Sequence, residues 1–296
     1  MTISSPDIYS RISSLKIHAR NLVEGILSGQ HRSRHRGSSV EFAEYKDYSP
    51  GDEIRHIDWK VVGKTDKYHI KQFEQSTNLK CHILLDASGS MGYKSQASGD
   101  KMDYARTLVS ALSYLLLKQF DAVGLIAFND QVISRIPPRS KPSHLQHILQ
   151  CVAALEPQGI TLIGKVITDT APTLPGRGML IIVSDLLTDE ESIIKSLKLL
   201  HARGMELILF HILHPDEMTL PFEGDILFES LEDDPSITLD PVEIRETYQN
   251  LVRERIEFFR KHCAAIGIDY MFLETNNPLE QALTYYLLKR KSLYKK

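Results

Sequence analysis

The chain has 296 residues, of which 42% are hydrophobic and 25% are charged, and its formal net charge is −3. This is the balance of a globular protein that is long enough to bury a core without disulfides or a structural metal. The charge argues against a protein that mainly coats nucleic acid, and no run approaches the roughly 18 apolar residues of a membrane span. Three widely separated cysteines fit neither a disulfide framework nor a zinc site, so we expect a reducing, cytoplasmic location.

The first predicted element is an amphipathic helix over residues 6–27, because apolar residues recur there at three- and four-residue spacing. This start lacks the continuous apolar core of a signal peptide. A short basic loop follows at 31–36, and six residues are too few to indicate nucleic-acid binding. Strand-like segments at 40–48 and 68–73 then predict a small β-rich element over 38–78.

Beyond residue 78, apolar runs of strand length alternate with amphipathic helices. The predicted strands are 79–86, 122–128, 131–136, 179–184, 205–212, 226–229 and 268–273, and the predicted helices are 101–120, 143–154, 162–170, 189–202, 241–265 and 278–289. Such alternation, with strands rich in Val, Ile and Leu, indicates an α/β fold with a doubly wound, mainly parallel sheet. We therefore divide the chain into a helix and basic loop (1–37), the β-rich element (38–78) and a main domain (79–296).

Polar residues follow two of the predicted strands where each ends. The strand 79–86 runs into Asp86, Ser88 and Ser90, the strand 179–184 runs into Asp185, and Thr161 lies in a loop before a helix. In a sheet of this kind, ligands bind beyond the carboxyl ends of the strands. Two carboxylates and three hydroxyls are an oxygen set suited to Mg²⁺, or Mn²⁺, with one position left open.

The predicted ion would stay electron-poor, because hydroxyls carry no formal charge and the carboxylates can act partly through water. It would then attract an anionic oxygen from outside, such as an Asp or Glu of another protein. This is recognition through a metal, and it requires no reaction. We therefore expect a non-enzymatic protein-interaction module.

The pattern Asp86-Ala87-Ser88-Gly89-Ser90, followed by Thr161 and then Asp185, resembles the metal-ion-dependent adhesion site of von Willebrand factor A domains. The upstream run VEFAEYKDYSPGDEIRHIDWK, followed by LLDASGSM, resembles the bacterial family known as domain of unknown function 58. This resemblance implies a von Willebrand factor A-like domain that binds metal, here in a member without membrane helices. It also implies an adaptor or co-chaperone role with a MoxR-type AAA+ ATPase as partner.

The chain departs from this pattern at one place. Many A domains carry Asp-Gly after the later strand, whereas this chain has Asp185-Leu186-Leu187. The carboxylate is kept but the flexible glycine is not. The departure bears on switching of the loop more than on binding of an ion.

Three other functions are compatible with these residues. Ser88 to Gly92 resembles a nucleophile elbow, so Ser90 could form a serine-hydrolase triad with Asp185 and either His211 or His214. A Mg²⁺-dependent phosphatase could use Asp86 as nucleophile, although it would need a second Asp where Ser88 stands. The fold could also bind its partner without metal, through 38–78 or the first helix.

Overall fold

The computed structural model describes residues 5–33, 45–47, 69–71, 79–95, 99–232 and 236–293. The chain divides into two compact units, one formed by Met1–Val23 and Asn78–Lys296 and the other by Glu24–Thr77. Helix α1, Ser5–Ser33, starts in the first unit and ends in the second. It is longer than the predicted helix, so residues 31–33 of the predicted basic loop are helical, and residues 34–36 lie outside the described ranges.

The second unit contains a two-stranded antiparallel sheet. Strand β1, Tyr45–Asp47, pairs with β2, His69–Lys71. Both strands fall inside the two segments predicted as strands, and the remainder of the β-rich element 38–78 lies outside the described residues. The division of the chain at residues 37 and 78 stays a prediction.

The first unit is built on a six-stranded sheet with the order β12-β9-β8-β3-β6-β7, in which only β7 is antiparallel to its neighbour. Two small antiparallel pairs, β4–β5 and β10–β11, lie outside this sheet. The strands of this unit are β3 Lys80–Asp86, β4 Lys94–Ser95, β5 Gly99–Asp100, β6 Ala122–Phe128, β7 Val132–Arg139, β8 Gly178–Ser184, β9 Met205–Leu213, β10 Ile226–Glu229, β11 Ser236–Leu239 and β12 Asp269–Glu274.

Helices lie between the parallel strands in the chain, and one more follows the last strand. They are α2 Lys101–Lys118, α3 His144–Ala154, α4 Ile163–Thr170, α5 Glu190–Ala202, α6 Pro215–Thr219, α7 Pro241–Ala265 and α8 Leu279–Leu293, with short 3₁₀ turns at Gly89–Gly92 and Ala171–Thr173. Strands β3, β6 and β8 are buried at every residue except the first. Burial on both faces explains why these strands are continuous apolar runs, and the predicted α/β class with a mainly parallel sheet is confirmed.

Strand β7 forms one edge of the sheet and contains Pro137 and Pro138. Its backbone approaches β6 closely at Gly124, where an added Cβ would lie 2.7 Å from the carbonyl oxygen of Ile136. The pairing between β6 and β7 shifts register near this point. Proline lacks an amide hydrogen, so it is tolerated mainly on edge strands, where β7 lies.

The sheet order sets the position of the polar strand ends. β3 and β8 are neighbouring parallel strands, so Asp86 at the end of one and Asp185 just after the other reach the same edge of the sheet. The loop before α4 is attached to this edge by two backbone hydrogen bonds, from Gly89 N to Gly159 O (2.8 Å) and from Gln158 N to Ala87 O (2.9 Å). This attachment brings Thr161 to the strand ends.

Candidate metal centre

The carboxylate of Asp86 is fully buried and forms the centre of a hydrogen-bond network. Its Oδ1 accepts a hydrogen bond from the amide of Ser88 (2.9 Å). Its Oδ2 accepts hydrogen bonds from the hydroxyls of Thr161 (3.0 Å) and Ser184 (2.6 Å). A hydroxyl that donates to a carboxylate keeps its oxygen lone pairs, so the oxygen of Thr161 stays available to a cation.

Ser88 and Ser90 bring two further hydroxyls to the same place. After Asp86 the chain leaves the strand and enters the 3₁₀ turn Gly89–Gly92. The two hydroxyl oxygens lie 3.2 Å apart and are both buried. The hydroxyl of Ser90 is also close enough to Asp185 to help lower the pKa of that carboxyl.

Asp185 forms a buried ion pair that the sequence did not predict. Its Oδ2 accepts a hydrogen bond from Nζ of Lys101 at 2.7 Å, and neither side chain is exposed to solvent. Lys101 is the first residue of α2, and its Nζ also donates to Oε1 of Glu217 at 2.7 Å. The lysine therefore supplies positive charge on the Asp185 side of the site.

The two buried aspartates have opposite pKa shifts. Burial, together with the nearby charge of Asp185, raises the pKa of Asp86 to about 7. Burial also acts to raise the pKa of Asp185, but Lys101 outweighs it, and the pKa of Asp185 is lowered. Across the described part of the chain, no lysine, arginine or histidine forms an ion pair with Asp86. Its charge is thus stabilised only by neutral donors.

The departure at residue 186 has a structural consequence. Leu186 adopts a left-handed backbone conformation with φ of 57°, which is the region that favours glycine. Its side chain is fully buried, and its carbonyl accepts a hydrogen bond from Arg255, which also binds the carbonyl of Thr188 at 2.6 Å. A strained residue persists when its surroundings hold it in place, and these contacts hold the turn after Asp185.

All five residues predicted as ligands lie within this single network: Asp86, Ser88, Ser90, Thr161 and Asp185. Four participants were missed, namely Ser184, Lys101, Glu217 and Glu232. Ser184 could have been suspected because it directly precedes Asp185 at a strand end. Lys101 and Glu217 gave no such signal, because a charged residue in the first turn of a helix is usually exposed.

The two histidines of the hydrolase alternative make other contacts. Nδ1 of His211 lies 2.8 Å from the hydroxyl of Tyr270, and the ring packs against aromatic neighbours. Nδ1 of His214 accepts a hydrogen bond from the amide of Asp216, and its ring lies 4.9 Å from that of Tyr93. The Nδ1 atom of each ring is therefore engaged by a group other than Ser90.

The donor set suits a hard divalent cation. Within the ranges that the structure describes, no three His, Cys, Asp or Glu side chains form a metal-binding group, so an ion here would depend on hydroxyls as well as on the two aspartates. Mg²⁺ accepts all-oxygen sets and keeps water in its shell. A buried carboxylate with a raised pKa and no ion-pair partner gains most from such an ion, so the residues present fit it.

A cavity of about 310 Å³ opens beside this network. It is lined by Ser90, Tyr93, Leu187, Glu217 and the segment 230–232. The amide of Thr161 donates to Oε2 of Glu232 at 3.3 Å. Ser90 of the network therefore lines the same cavity as two glutamates, Glu217 and Glu232.

Comparison with known proteins places the chain among bacterial relatives. Residues 44–257 match the family described as "Protein of unknown function DUF58". The uncharacterized protein Rv1480 of Mycobacterium tuberculosis is 26% identical over 233 residues, which cover 78% of this chain and 73% of that protein.

Two solved structures show a likeness in fold. An aerotolerance-related membrane protein from Bacteroides fragilis is 19% identical, with a TM-score of 0.45, and the match covers 71% of this chain and 99% of that one. The SpRpn10 VWA domain is 12% identical, with a TM-score of 0.41, over 70% of this chain and 94% of that domain.

The expected cytoplasmic location is corrected by these matches, because proteins similar to this chain are described as membrane proteins. The expectation rested on cysteine usage and on the lack of a long apolar run. Of the helices that the structure describes, none is long and apolar enough to cross a membrane. That property of the helices does not determine where the protein works.

Proposed function

Since the chain belongs to the DUF58 family, we propose that it is a non-enzymatic protein-interaction module that binds Mg²⁺ and captures an acidic residue of a partner protein. Ser88, Ser90 and Thr161 would supply hydroxyl oxygens to the ion. Asp86 and Asp185 would orient these hydroxyls and balance the charge. When bound, the ion would attract a carboxylate from the partner.

One observation carries this proposal. The carboxylate of Asp86 is fully buried and accepts hydrogen bonds from three neutral groups. No cationic side chain of the described residues forms an ion pair with it. Burying an unpaired charge is costly unless a counter-charge is added. A divalent cation beside the three hydroxyls would supply that charge.

Titration calorimetry with Mg²⁺ tests the metal. We expect the wild-type protein to bind about one ion, and Ser90→Ala and Asp86→Ala to bind it at least about tenfold more weakly, because each removes an oxygen of the site. Ser196→Ala is the matched control, since its hydroxyl is buried on α5 and bonds only its own helix, at Ile193 O. Equal binding by all four proteins would refute the metal site.

The partner that we propose is a MoxR-type AAA+ ATPase, because the resemblance to the family implies such an association. Affinity purification from the native cell, with Mg²⁺ and with EDTA, checks it. An ATPase that co-purifies only with Mg²⁺ supports both the partner and the carboxylate-capture mechanism. An ATPase complex that is indifferent to EDTA would contradict that mechanism.

A further inference from the structure

Residues 230–232, which directly follow β10, bring a glutamate of the chain itself to the candidate metal centre. Glu232 lies just beyond Ser230, whose hydroxyl accepts a hydrogen bond from the amide of Glu232 at 3.2 Å. Its Oε2 accepts a hydrogen bond from the amide of Thr161, one of the five proposed metal-site residues, at 3.3 Å. The carboxylate is thus held by the backbone amide of a residue whose hydroxyl is a proposed ligand.

The backbone of this segment packs directly on the serine loop. A Cβ added to Gly89 would lie 1.8 Å from the carbonyl oxygen of Leu231. Only glycine permits this approach, and Gly89 stands between Ser88 and Ser90. The absence of a side chain at Gly89 therefore allows the segment that carries Glu232 to approach the loop.

The two glutamates that line the cavity differ in their hydrogen bonding. Glu217 has both oxygens engaged, with Oε1 bound to Lys101 and Oε2 accepting from the amide of His214. Glu232 has one oxygen bound to Thr161, while its Oε1 is buried and has no hydrogen-bond partner among the groups that the structure describes. A buried carboxylate oxygen without a partner is costly unless a cation lies beside it.

We infer that Glu232 is an intramolecular ligand of the divalent cation. Its carboxylate occupies the open ligand position of the ion until a partner's carboxylate displaces it. This inference rests on the proposed function. It follows from the contact with Thr161 and from the unpartnered Oε1. Among the described residues, no cationic side chain pairs with Glu232, and Lys101 is already bound to Asp185 and Glu217. The partner would then bind in competition with the protein's own glutamate.

Mn²⁺ alone is the probe for this inference, because its effect on water proton relaxation reports how many water molecules it keeps when bound. We expect Glu232→Gln and Glu232→Ala to bind Mn²⁺ about tenfold more weakly than wild type. We also expect a higher relaxation enhancement per bound ion, since water replaces the lost carboxylate. Glu229→Gln is the matched control, because it removes the same charge from an exposed position on β10.

Failure of this inference differs from failure of the proposed function. If Ser90→Ala weakens Mn²⁺ binding while both Glu232 variants match Glu229→Gln in affinity or in relaxation, Glu232 is not a ligand and the metal site remains. If the wild-type protein binds no Mn²⁺, the proposed function and the inference that depends on it are both overturned. Circular dichroism of each variant confirms that it is folded before binding is measured.

Discussion

At the scale of single residues, Lys101 most changes the electrostatics of the candidate metal centre. Burial acts to lower the pKa of this lysine, but the carboxylates of Asp185 and Glu217 outweigh burial and raise it, so the ammonium is charged. A buried ion pair contributes little net stability, but breaking one by removing a partner is strongly destabilising. Lys101 therefore holds Asp185 ionised and in place, while Asp86 is left for another cation.

We expect Lys101→Met to lower the free energy of unfolding by about 3 kcal/mol in EDTA, because Asp185 and Glu217 lose their shared counter-charge. Mg²⁺ should then bind at least about tenfold more tightly, since a nearby positive charge is gone. Urea denaturation and calorimetry measure the two effects.

Lys118→Met is the matched control for this change. It removes an exposed lysine from the other end of α2 and should alter stability by less than about 0.5 kcal/mol. Weaker Mg²⁺ binding by a folded Lys101→Met protein would contradict the expected repulsion between Lys101 and the ion.

The candidate site divides into residues that local sequence could indicate and residues that it could not. One apolar strand ends in Asp86 and is followed by Ser88 and Ser90, and another is followed by Asp185. Because ligands bind beyond the carboxyl ends of parallel strands, these residues could be predicted to lie together. Glu232 lies far along the chain, three residues after β10, in a segment whose position depends on a close contact between Leu231 and Gly89. A contact of this kind leaves no periodic pattern in the sequence.

At the scale of elements, α1 buries one of its faces within the first unit. Ile12, Leu15, Ala19 and Val23 recur at helical spacing and are buried, whereas Ile17 is exposed. Arg11 adds a hydrogen bond from Nη1 to the carbonyl of Ala153 at 2.9 Å. This face of the predicted amphipathic helix is therefore packed against the protein's own first unit at these residues.

We expect Leu15→Ala to lower the free energy of unfolding by about 2 to 3 kcal/mol, because it deletes buried methyl groups and leaves a cavity. Ile17→Ala is the control on the same helix and should change it by less than about 0.5 kcal/mol. Urea denaturation of both variants measures the difference. Equal effects of the two substitutions would show that this face is not packed in solution.

Element boundaries could be predicted where hydrophobic periodicity sets them. The predicted helix 241–265 coincides with α7, and the predicted strands at 122–128 and 226–229 coincide with β6 and β10. Strand β11 was missed, because its four residues are exposed or half-buried and pair only with β10. Helix α6 was missed as well, since five residues are too few for a period and the helix depends on a capping box between His214 and Glu217.

At the scale of the whole molecule, buried histidines tie stability to pH. Burial lowers the pKa of His211 to about 3 and that of His82 to about 4, with Arg135 and Lys80 adding to the effect at His82. The unfolded chain binds protons at these side chains near pH 6.5, whereas the folded protein does not. Their contribution is therefore complete above about pH 6.5 and is lost as the pH falls toward the folded-state pKa values.

We expect the wild-type protein to lose about 2 to 3 kcal/mol more stability than His211→Phe between pH 7 and about pH 4.5, since a pKa unit corresponds to about 1.4 kcal/mol. Phenylalanine fits the aromatic surroundings of His211 but cannot be protonated. Urea denaturation across this pH range measures the difference. The exposed His201→Phe should follow the wild-type curve, and a parallel curve for His211→Phe would contradict the prediction.

The two consecutive prolines of β7 affect how copies of this protein behave at high concentration. An outer strand with free amide hydrogens offers a template on which another chain can add a strand, and this is how many sheet proteins polymerise. Pro137 and Pro138 lack those hydrogens, so they interrupt the row of donors at this border. The molecule is thereby protected on that side against growth into fibres.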